Sequence, residues 1–254
     1  MKVDILGCYG NVVGPYRATS FLINDSILLD AGTVTEVLTD ERIRNIKAAF
    51  ITHPHIDHVK GLFSLIDEMV ALREDGIEIF AAKQVKDIIT ENLFNNLIWP
   101  DFTSIPSAER ALIKPNEIEL EEEVEVVGIN FKPILMNHSV YTTGFVVKES
   151  EKGFMFTSDT GETERFWEIA RKEDGIEFII ADVSFPESQK NIAQISGHMT
   201  LSTLLHSIDR YGLRDIPVYI YHMKPFFIEE IRKEVANSKR KNLFFLDQGT
   251  SLFI

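Results

Sequence analysis

The chain has 254 residues, 44% of them apolar and 26% charged, a composition typical of a globular protein with a sizeable core. Its formal net charge of −13 argues against a nucleic-acid backbone as the main partner, because phosphate binding needs clustered Lys and Arg side chains. The single cysteine, Cys8, excludes an internal disulfide, and the lack of a signal-peptide pattern and of about 18 consecutive apolar residues predicts a cytoplasmic protein that spans no membrane.

The first half of the chain begins with short apolar segments that predict β-strands. In chain order these are VDILG, TSFLIN, SILLDAG, IKAAFITH and IEIFAA. Apolar residues at helical spacing predict a helix over HVKGLFSLIDEMVALRED, and KQVKDIITENLFNNLI predicts another.

The second half repeats this alternation. Strands are predicted over VEVVGINFKPILMNH, TTGFVVKE, GFMFTSD, IEFIIADVSF, IPVYIYH and NLFFLDQ. Helices are predicted over ETERFWEIARKED, HMTLSTLLHSIDRYG and FFIEEIRKEVANSKR, with Gly212 ending the second. Because no long linker divides the chain, we predict one domain over residues 1–254. Strands with helices beside them indicate an α/β fold, in outline a four-layer αββα sandwich.

Three of the seven histidines lie within six residues of one another, in THPHIDHVKG, directly after a predicted strand. His53 and His55 are two residues apart and can share one metal ion, since alternate side chains of a strand point to one face. Asp57 and His58 lie at the turn into the next helix, where Asp57 is also a suitable N-cap residue. These two side chains can bind a second metal ion.

The other candidate ligands also lie just beyond predicted strands. His138 follows FKPILMN, Asp159 ends FMFTSD, and His222 follows IPVYIY. His198 lies at the start of a predicted helix, whereas His206 lies within that helix and is interpreted as structural.

This pattern resembles the metallo-β-lactamase superfamily along the length of the chain, through LLDAGT, THPHIDHVKG, NHS, TSDTG and YHMKP. The resemblance implies the αββα fold and two divalent metal ions, with zinc expected and manganese or iron as alternatives. By this resemblance one ion would be held by His53, His55 and His138, and the other by Asp57, His58 and His222. Asp159 would bridge both ions, and Asp30 would orient ligands from behind.

Further segments resemble the class II 3′,5′-cyclic-nucleotide phosphodiesterases. THPHIDHVKGL is similar to that family's signature His-x-His-Leu-Asp-His-x-x-Gly-Leu, with Ile56 in place of leucine. ADVSFPES and AQISGHMTL are similar to its acidic-x-Ser-Phe-Pro and Ser-Gly-His-Leu-Thr segments, although Met199 and Leu201 depart from its Leu-Thr-Pro pattern. The implied substrate is a small cyclic nucleotide such as cyclic AMP or cyclic GMP, and the implied assembly is a homodimer.

The implied reaction is hydrolysis to a 5′-nucleoside monophosphate by attack of a metal-bound hydroxide. His198 stands outside the ligand set and is the candidate general acid for the leaving sugar oxygen, and Asp57 is counted as catalytic beside it. Trp99 and Phe102 offer aromatic faces for the base, but packing of Trp99 onto the body of the protein is the favoured interpretation.

Other function classes share parts of this pattern. A tRNase Z-like RNA 3′-processing endonuclease shares the five motifs, but it needs a glycine-rich, basic arm, and residues 80–115 are neither glycine-rich nor strongly basic. Thiol-ester hydrolases of the glyoxalase II type leave SGHMT unexplained, and flavodiiron oxidoreductases carry Glu where this chain has His55. A non-catalytic metal-dependent binding module is disfavoured by the complete ligand set.

Overall fold

The computed structural model describes residues 1–72 and 75–254, which divide into two compact units. Unit 1 consists of Met1–Gly7, Arg17–Glu119 and Gln248–Phe253, and unit 2 of Cys8–Tyr16, Leu120–Asp247 and Ile254. One domain over residues 1–254 stays a prediction. No helix in the described part of the chain is long and apolar enough to cross a membrane.

Unit 1 contains a mixed β-sheet with short helices between its strands. Its strands are β1 (Lys2–Gly7), β2 (Ser20–Ile23), β3 (Ile27–Leu29), β4 (Ala48–Phe50), β5 (Ile77–Ala81), β6 (Ile113–Glu117) and β14 (Ser251–Phe253). Its helices are α1 (Asp40–Asn45), α2 (Ile56–Val59), α3 (Gly61–Leu72) and α4 (Lys83–Ile88), followed by the helical turns Ile89–Leu93 and Ala108–Arg110.

The sheet of unit 1 changes from antiparallel to parallel pairing at β3. Within the described residues, its seven strands have the order β14-β1-β2-β3-β4-β5-β6. β14, β1, β2 and β3 pair antiparallel, whereas β3, β4, β5 and β6 pair parallel. β2, β3 and β4 are buried along their whole length, and apart from Ser20 they consist of apolar residues. The carboxyl ends of β3 and β4 lie side by side, and the amide of Asp30 donates to the carbonyl of Phe50.

Unit 2 contains a second mixed sheet. Its strands are β7 (Val124–Val126), β8 (Ile129–Leu135), β9 (Thr143–Glu149), β10 (Lys152–Phe156), β11 (Ile176–Asp182), β12 (Val218–Tyr221) and β13 (Leu243–Phe245). Its helices are α5 (Arg165–Ala170), α6 (Lys190–Ser196), α7 (Leu201–Tyr211) and α8 (Ile228–Ser238), with the short turns Glu187–Gln189 and Pro225–Phe227.

The sheet of unit 2 has the same plan of pairing. Its seven strands, counted over the described residues, have the order β13-β12-β11-β10-β9-β8-β7. β7 to β10 pair antiparallel, and β10 to β13 pair parallel. The carboxyl ends of β8, β10, β11 and β12 therefore meet at one edge of this sheet, because two antiparallel steps separate β8 from β10. The residues just beyond these ends come together for this reason.

Several sequence predictions need correction at their boundaries. The segment VEVVGINFKPILMNH was predicted as one strand, but it forms the hairpin β7–β8, since Val127 and Gly128 both have positive φ, as a two-residue turn requires. β6, β14, α1 and α6 were not predicted; these are short elements with little apolar periodicity. Gly212 does end α7, in the left-handed conformation expected of a helix stop.

Two predicted helix positions also change. His198 does not start a helix: it lies in the connection between α6 and α7, and its amide donates to the carbonyl of Ala193. Asp57 is not an N-cap residue, because His55 occupies the N-cap of α2 and Asp57 lies in the first turn. The end of the helix predicted over HVKGLFSLIDEMVALRED includes residues 73 and 74, which lie outside the described residues.

Candidate functional site

The histidine cluster of unit 1 is gathered at the carboxyl end of β4. The ring centroids of His53 and His55 are 4.7 Å apart, and those of His53 and His58 are 4.1 Å apart. Asp57 shares the short helix α2 with His58. The three imidazoles predicted from THPHIDHVKG therefore lie together in unit 1, and one carboxylate oxygen of Asp57 lies within 4.8 Å of a ring nitrogen of His58.

Asp30 supports this cluster from behind. Its buried carboxylate accepts hydrogen bonds from the amide and hydroxyl of Thr52, and its Oδ2 lies 2.7 Å from Nδ1 of His58. Because the Thr52 hydroxyl donates to Asp30, its oxygen accepts from Nδ1 of His53, at 2.9 Å. Both histidines thus carry the proton on Nδ1 and the lone pair on Nε2, which is the form that binds a metal ion.

In unit 2, the predicted ligands come from strand exits at one edge of the sheet. Oδ2 of Asp159, after β10, lies 3.2 Å from Nε2 of His222, after β12. Nδ1 of His138, after β8, lies 2.7 Å from the carbonyl oxygen of Gly197 and donates to it. Gly197 ends α6 with φ of 69°, and a Cβ there would lie 3.0 Å from Nδ1 of His138, so glycine allows this close contact.

A second buried aspartate, Asp182, forms a hydrogen bond with His198, the candidate general acid. Its Oδ2 lies 2.8 Å from Nδ1 of His198, and its Oδ1 accepts a 2.6 Å hydrogen bond from the hydroxyl of Ser184. Because that hydroxyl donates to Asp182, its oxygen accepts from Nδ1 of His222, at 2.9 Å. Asp182 therefore supports one histidine directly and another through Ser184.

Sequence reasoning assigned no role to Asp182 or Ser184. Both lie in ADVSFPES, for which the sequence indicates only a similarity to a segment of the phosphodiesterase family. The signal that could have found Asp182 is its position at the carboxyl end of a buried strand, close to the position of Asp159, which lies three residues beyond the end of β10.

Burial and neighbouring charges shift the pKa values of the buried site residues in opposite directions. Burial lowers the pKa of His138. Burial also lowers the pKa of His198, but the charge of Asp182 and the hydrogen bond to it outweigh burial, so the net shift is upward. In unit 1, burial raises the pKa of Asp30, opposed by the charge of His58 and by the hydrogen bonds from Thr52. A raised pKa favours the protonated form of His198, which an acid needs.

The backbone is strained at three exits from the strands. Asp30, Ser158 and His222 have φ of 56°, 54° and 62°, values that cost energy for residues other than glycine. Asp30 and His222 are the carboxylate and the imidazole described above, and Ser158 precedes Asp159. Strained backbone of this kind clusters at functional sites.

A cleft of about 730 Å³ opens in unit 2 beside His138 and His198. α6 and α7 line it, together with the segments around Asn137 and Gly161. His206, interpreted as structural from the sequence, is exposed and lines this cleft.

The aromatic residues considered for base stacking pack within unit 1. The ring of Trp99 lies 5.5 Å from that of Phe63, and Phe102 is buried, with its ring 6.4 Å from that of Phe94. These contacts favour the packing interpretation of Trp99. Cys8 is buried, and its thiol donates to the carbonyl of Leu246.

The donor chemistry fits divalent transition-metal ions. In unit 2, one ligand atom each from Asp159, His198 and His222 lie within 4.8 Å of one another. In unit 1, three imidazoles lie together, and one carboxylate oxygen of Asp57 lies within 4.8 Å of a ring nitrogen of His58. Imidazole nitrogen and carboxylate oxygen, with Nδ1 held by an oxygen, are the ligands and the support that zinc, manganese and iron sites use.

Comparison with known proteins identifies the family. A model described as "Beta-lactamase superfamily domain" matches residues 26–223. The chain belongs to this family. Membership confirms the superfamily resemblance and the α/β fold class, and it supports a metal-dependent hydrolase that uses divalent ions.

Named relatives fall into two functional groups. Ribonuclease Z from Metallosphaera sedula is 30% identical over 159 residues, which are 59% of this chain and 50% of that protein. The 3′,5′-cyclic-nucleotide phosphodiesterase of Aliivibrio fischeri is 27% identical over 240 residues, 82% of this chain and 70% of the relative. The match thus spans only half the length of the ribonuclease Z.

Among solved structures, unliganded yeast PDE1 from Saccharomyces cerevisiae superposes with a TM-score of 0.83 at 18% identity. The match covers 100% of this chain and 99% of the yeast protein. At this identity the similarity establishes the fold.

Proposed function

We propose that this chain is a dinuclear-metal phosphodiesterase that hydrolyses 3′,5′-cyclic nucleotides to 5′-nucleoside monophosphates. The observation that carries the proposal is the buried His198–Asp182 pair, which places a protonatable imidazole beside the donors Asp159 and His222. Hydrolysis of a phosphodiester is accelerated by metal ions that bind the phosphate as Lewis acids and by a group that gives a proton to the leaving oxygen.

The proposed ligands follow the superfamily pattern. They are His53, His55 and His138 for one ion, Asp57, His58 and His222 for the other, and Asp159 for both, with zinc expected and manganese or iron as alternatives. Divalent ions bound there would neutralise phosphate charge and lower the pKa of water. Asp57, as a ligand, belongs to the catalytic set, and Asp30 holds His58 in position.

His198 acts on the leaving group. Hydrolysis breaks the bond between phosphorus and O3′ while a water oxygen bonds to phosphorus, and the departing O3′ takes a proton. His198 donates this proton from Nε2, since its Nδ1 is held by Asp182. Its raised pKa keeps it protonated nearer to neutral pH. Such proton transfer contributes about 10²- to 10⁴-fold to the rate.

An RNA 3′-processing endonuclease is the second candidate, favoured by the 30% identity to ribonuclease Z. The phosphodiesterase is preferred because ADVSFPES and AQISGHMTL are similar to segments of that family. The charge of −13 also disfavours an extended RNA backbone as substrate.

The test is to load the protein with Zn²⁺ or Mn²⁺ and follow 3′,5′-cyclic AMP and cyclic GMP by chromatography. We expect 5′-monophosphate from the wild type, and at least about 10²-fold slower turnover in His198→Ala with equal metal content. An unchanged rate in this variant would remove His198 from the mechanism.

The alternatives predict different results in the same assay. Cleavage of a tRNA precursor without turnover of either cyclic nucleotide would establish the endonuclease. Binding of cyclic nucleotide without turnover, in fully metal-loaded protein, would indicate a binding module.

A cytoplasmic location and a homodimer complete the proposal. Both follow from the sequence and its resemblance to the phosphodiesterases. Light scattering of the metal-loaded protein tests the dimer, for which a mass near twice 29.0 kDa is expected.

A further inference from the structure

The cleft beside His198 is lined by polar side chains from two helices. α6 contributes Lys190 and Gln194, four residues apart, and α7 contributes Ser202 and His206, also four apart. Residues at this spacing share one face of a helix, so each helix presents a polar face to the cleft. His198 lies in the connection between the two helices, at the wall that also contains His138.

The chemistry of the proposed reaction places the nucleoside on this side, and this step rests on the proposed function. In a 3′,5′-cyclic nucleotide the leaving oxygen is O3′ of the ribose. A general acid must come within hydrogen-bond reach of the oxygen that it protonates. Because ribose and base are attached to this oxygen, they must lie on the side of the phosphate that faces His198, where the cleft opens.

The lining provides unused hydrogen-bonding groups. Among residues 1–72 and 75–254, no hydrogen-bond partner is found for the side chain of Gln194 or of His206, and both side chains are exposed. A glutamine amide offers one acceptor and two donors and can pair with adjacent donor and acceptor atoms on a purine edge. An imidazole can donate, accept or stack on a base.

The size and polarity of the cleft fit a single nucleoside. Its volume of about 730 Å³ lies within the range of roughly 300–1,000 Å³ usual for small-molecule sites. The aromatic alternative in unit 1 is weaker, because Trp99 packs against Phe63 and Phe102 is buried.

We propose that this cleft is the nucleoside subsite and that Gln194 and His206 determine which base it accepts. The substrate class is then a purine or pyrimidine nucleoside 3′,5′-cyclic phosphate. The base is recognised by hydrogen bonds to the faces of α6 and α7.

The first test locates the base directly. The metal-loaded protein is photolabelled with 8-azidoadenosine 5′-monophosphate, a product analogue that is not consumed, with cyclic AMP as competitor. Tryptic cleavage after Lys190 and Arg210 releases residues 191–210, which contain Gln194 and His206, whereas residues 87–110 contain Trp99 and Phe102. We expect competable label in 191–210. Label in 87–110, or none in protein that hydrolyses cyclic AMP, would overturn the proposal.

The second test compares substrates with and without a nucleoside. In Gln194→Ala and His206→Ala we expect kcat/KM for cyclic AMP to fall about three- to tenfold each, the size of one lost hydrogen bond. The loss with methyl p-nitrophenyl phosphate should be at least threefold smaller. Asn191→Ala is the matched control, since Asn191 is exposed on α6 but does not line the cleft.

Failure of the inference can be told from failure of the proposed function. Equal losses with both substrates, in a protein that hydrolyses cyclic AMP, would exclude the cleft as the nucleoside subsite and leave the phosphodiesterase standing. No turnover of any cyclic nucleotide by the wild type would reject the proposed function and this inference with it.

Discussion

Unit 1 and unit 2 each contain one buried aspartate that is hydrogen-bonded to one histidine directly and to a second histidine through a hydroxyl. We call each such set of four residues a relay. In unit 1, Asp30 holds His58 directly and His53 through the hydroxyl of Thr52. In unit 2, Asp182 holds His198 directly and His222 through the hydroxyl of Ser184. The two carboxylates are both fully buried.

The two relays differ in what the directly held histidine is proposed to do. His58 is a proposed metal ligand, so the charge of Asp30 would strengthen a bond to the ion. His198 is the proposed acid, so the charge of Asp182 would keep a proton on the ring. By this proposal the directly held histidine would serve metal binding in unit 1 and proton transfer in unit 2, so substitutions of Asp30 and Asp182 should have different readouts.

The largest effect is expected from Asp182→Asn. The amide keeps the shape of the side chain but loses the charge that raises the pKa of His198, so kcat for cyclic AMP should fall about 10- to 100-fold. Steady-state kinetics measures kcat, and plasma emission spectrometry checks that the metal content is unchanged. Asp174→Asn, an exposed substitution in the same unit, is the control. Unchanged kcat would mean that Asp182 only packs the core.

Asp30→Asn should act on metal binding. Losing the carboxylate behind His58 should weaken metal affinity by about 10- to 100-fold, while kcat at saturating metal changes less. Competition with a chromophoric chelator measures the affinity, with the exposed Asp40→Asn as control. A loss of kcat at full metal occupancy, with affinity unchanged, would contradict the contrast between the two relays.

Ser184→Ala should have a smaller effect on turnover. Asp182 still contacts His198 directly, and the hydroxyl that is lost links Asp182 to His222 and lies 3.1 Å from Nδ1 of His198. We expect kcat to fall about three- to tenfold, the size of one hydrogen bond. The comparison is with Ser188→Ala, whose exposed hydroxyl donates to the surface carboxylate of Glu230. A loss of kcat as large as that in Asp182→Asn would show that Ser184 is as important as Asp182 for positioning the histidines.

The smallest catalytic effect is expected from Trp99→Ala. Its ring packs against Phe63, so the free energy of unfolding should fall by about 1–3 kcal/mol, while KM for cyclic AMP stays within about twofold. Denaturant unfolding and steady-state kinetics measure the two quantities. Trp99→Phe should retain most of the stability, because the indole nitrogen has no hydrogen-bond partner among the described residues. Raised KM with unchanged stability would instead support stacking on the base.

The spacing of the donors along the chain differs between the two units, and this difference explains which site residues could be predicted from the sequence. The donors of unit 1 lie within THPHIDHVKG, because one strand exit and the following helix carry them all. Those of unit 2 are spread from His138 to His222, and each stands alone in the sequence. His138, Asp159 and His222 could be selected by their positions after predicted strands, but their roles as ligands stay predictions.

The sequence by itself determined the fold class and the residue types available for metal binding, because apolar periodicity and local motifs are short-range properties. It could not determine which carboxylate and hydroxyl support His198, or that α6 and α7 form the walls of one cleft. Asp182 is separated from His198 by 16 residues and Ser184 from His222 by 38, and no local pattern links them. The pairing of β10, β11 and β12 brings their carboxyl ends together, so only the tertiary structure could join these side chains.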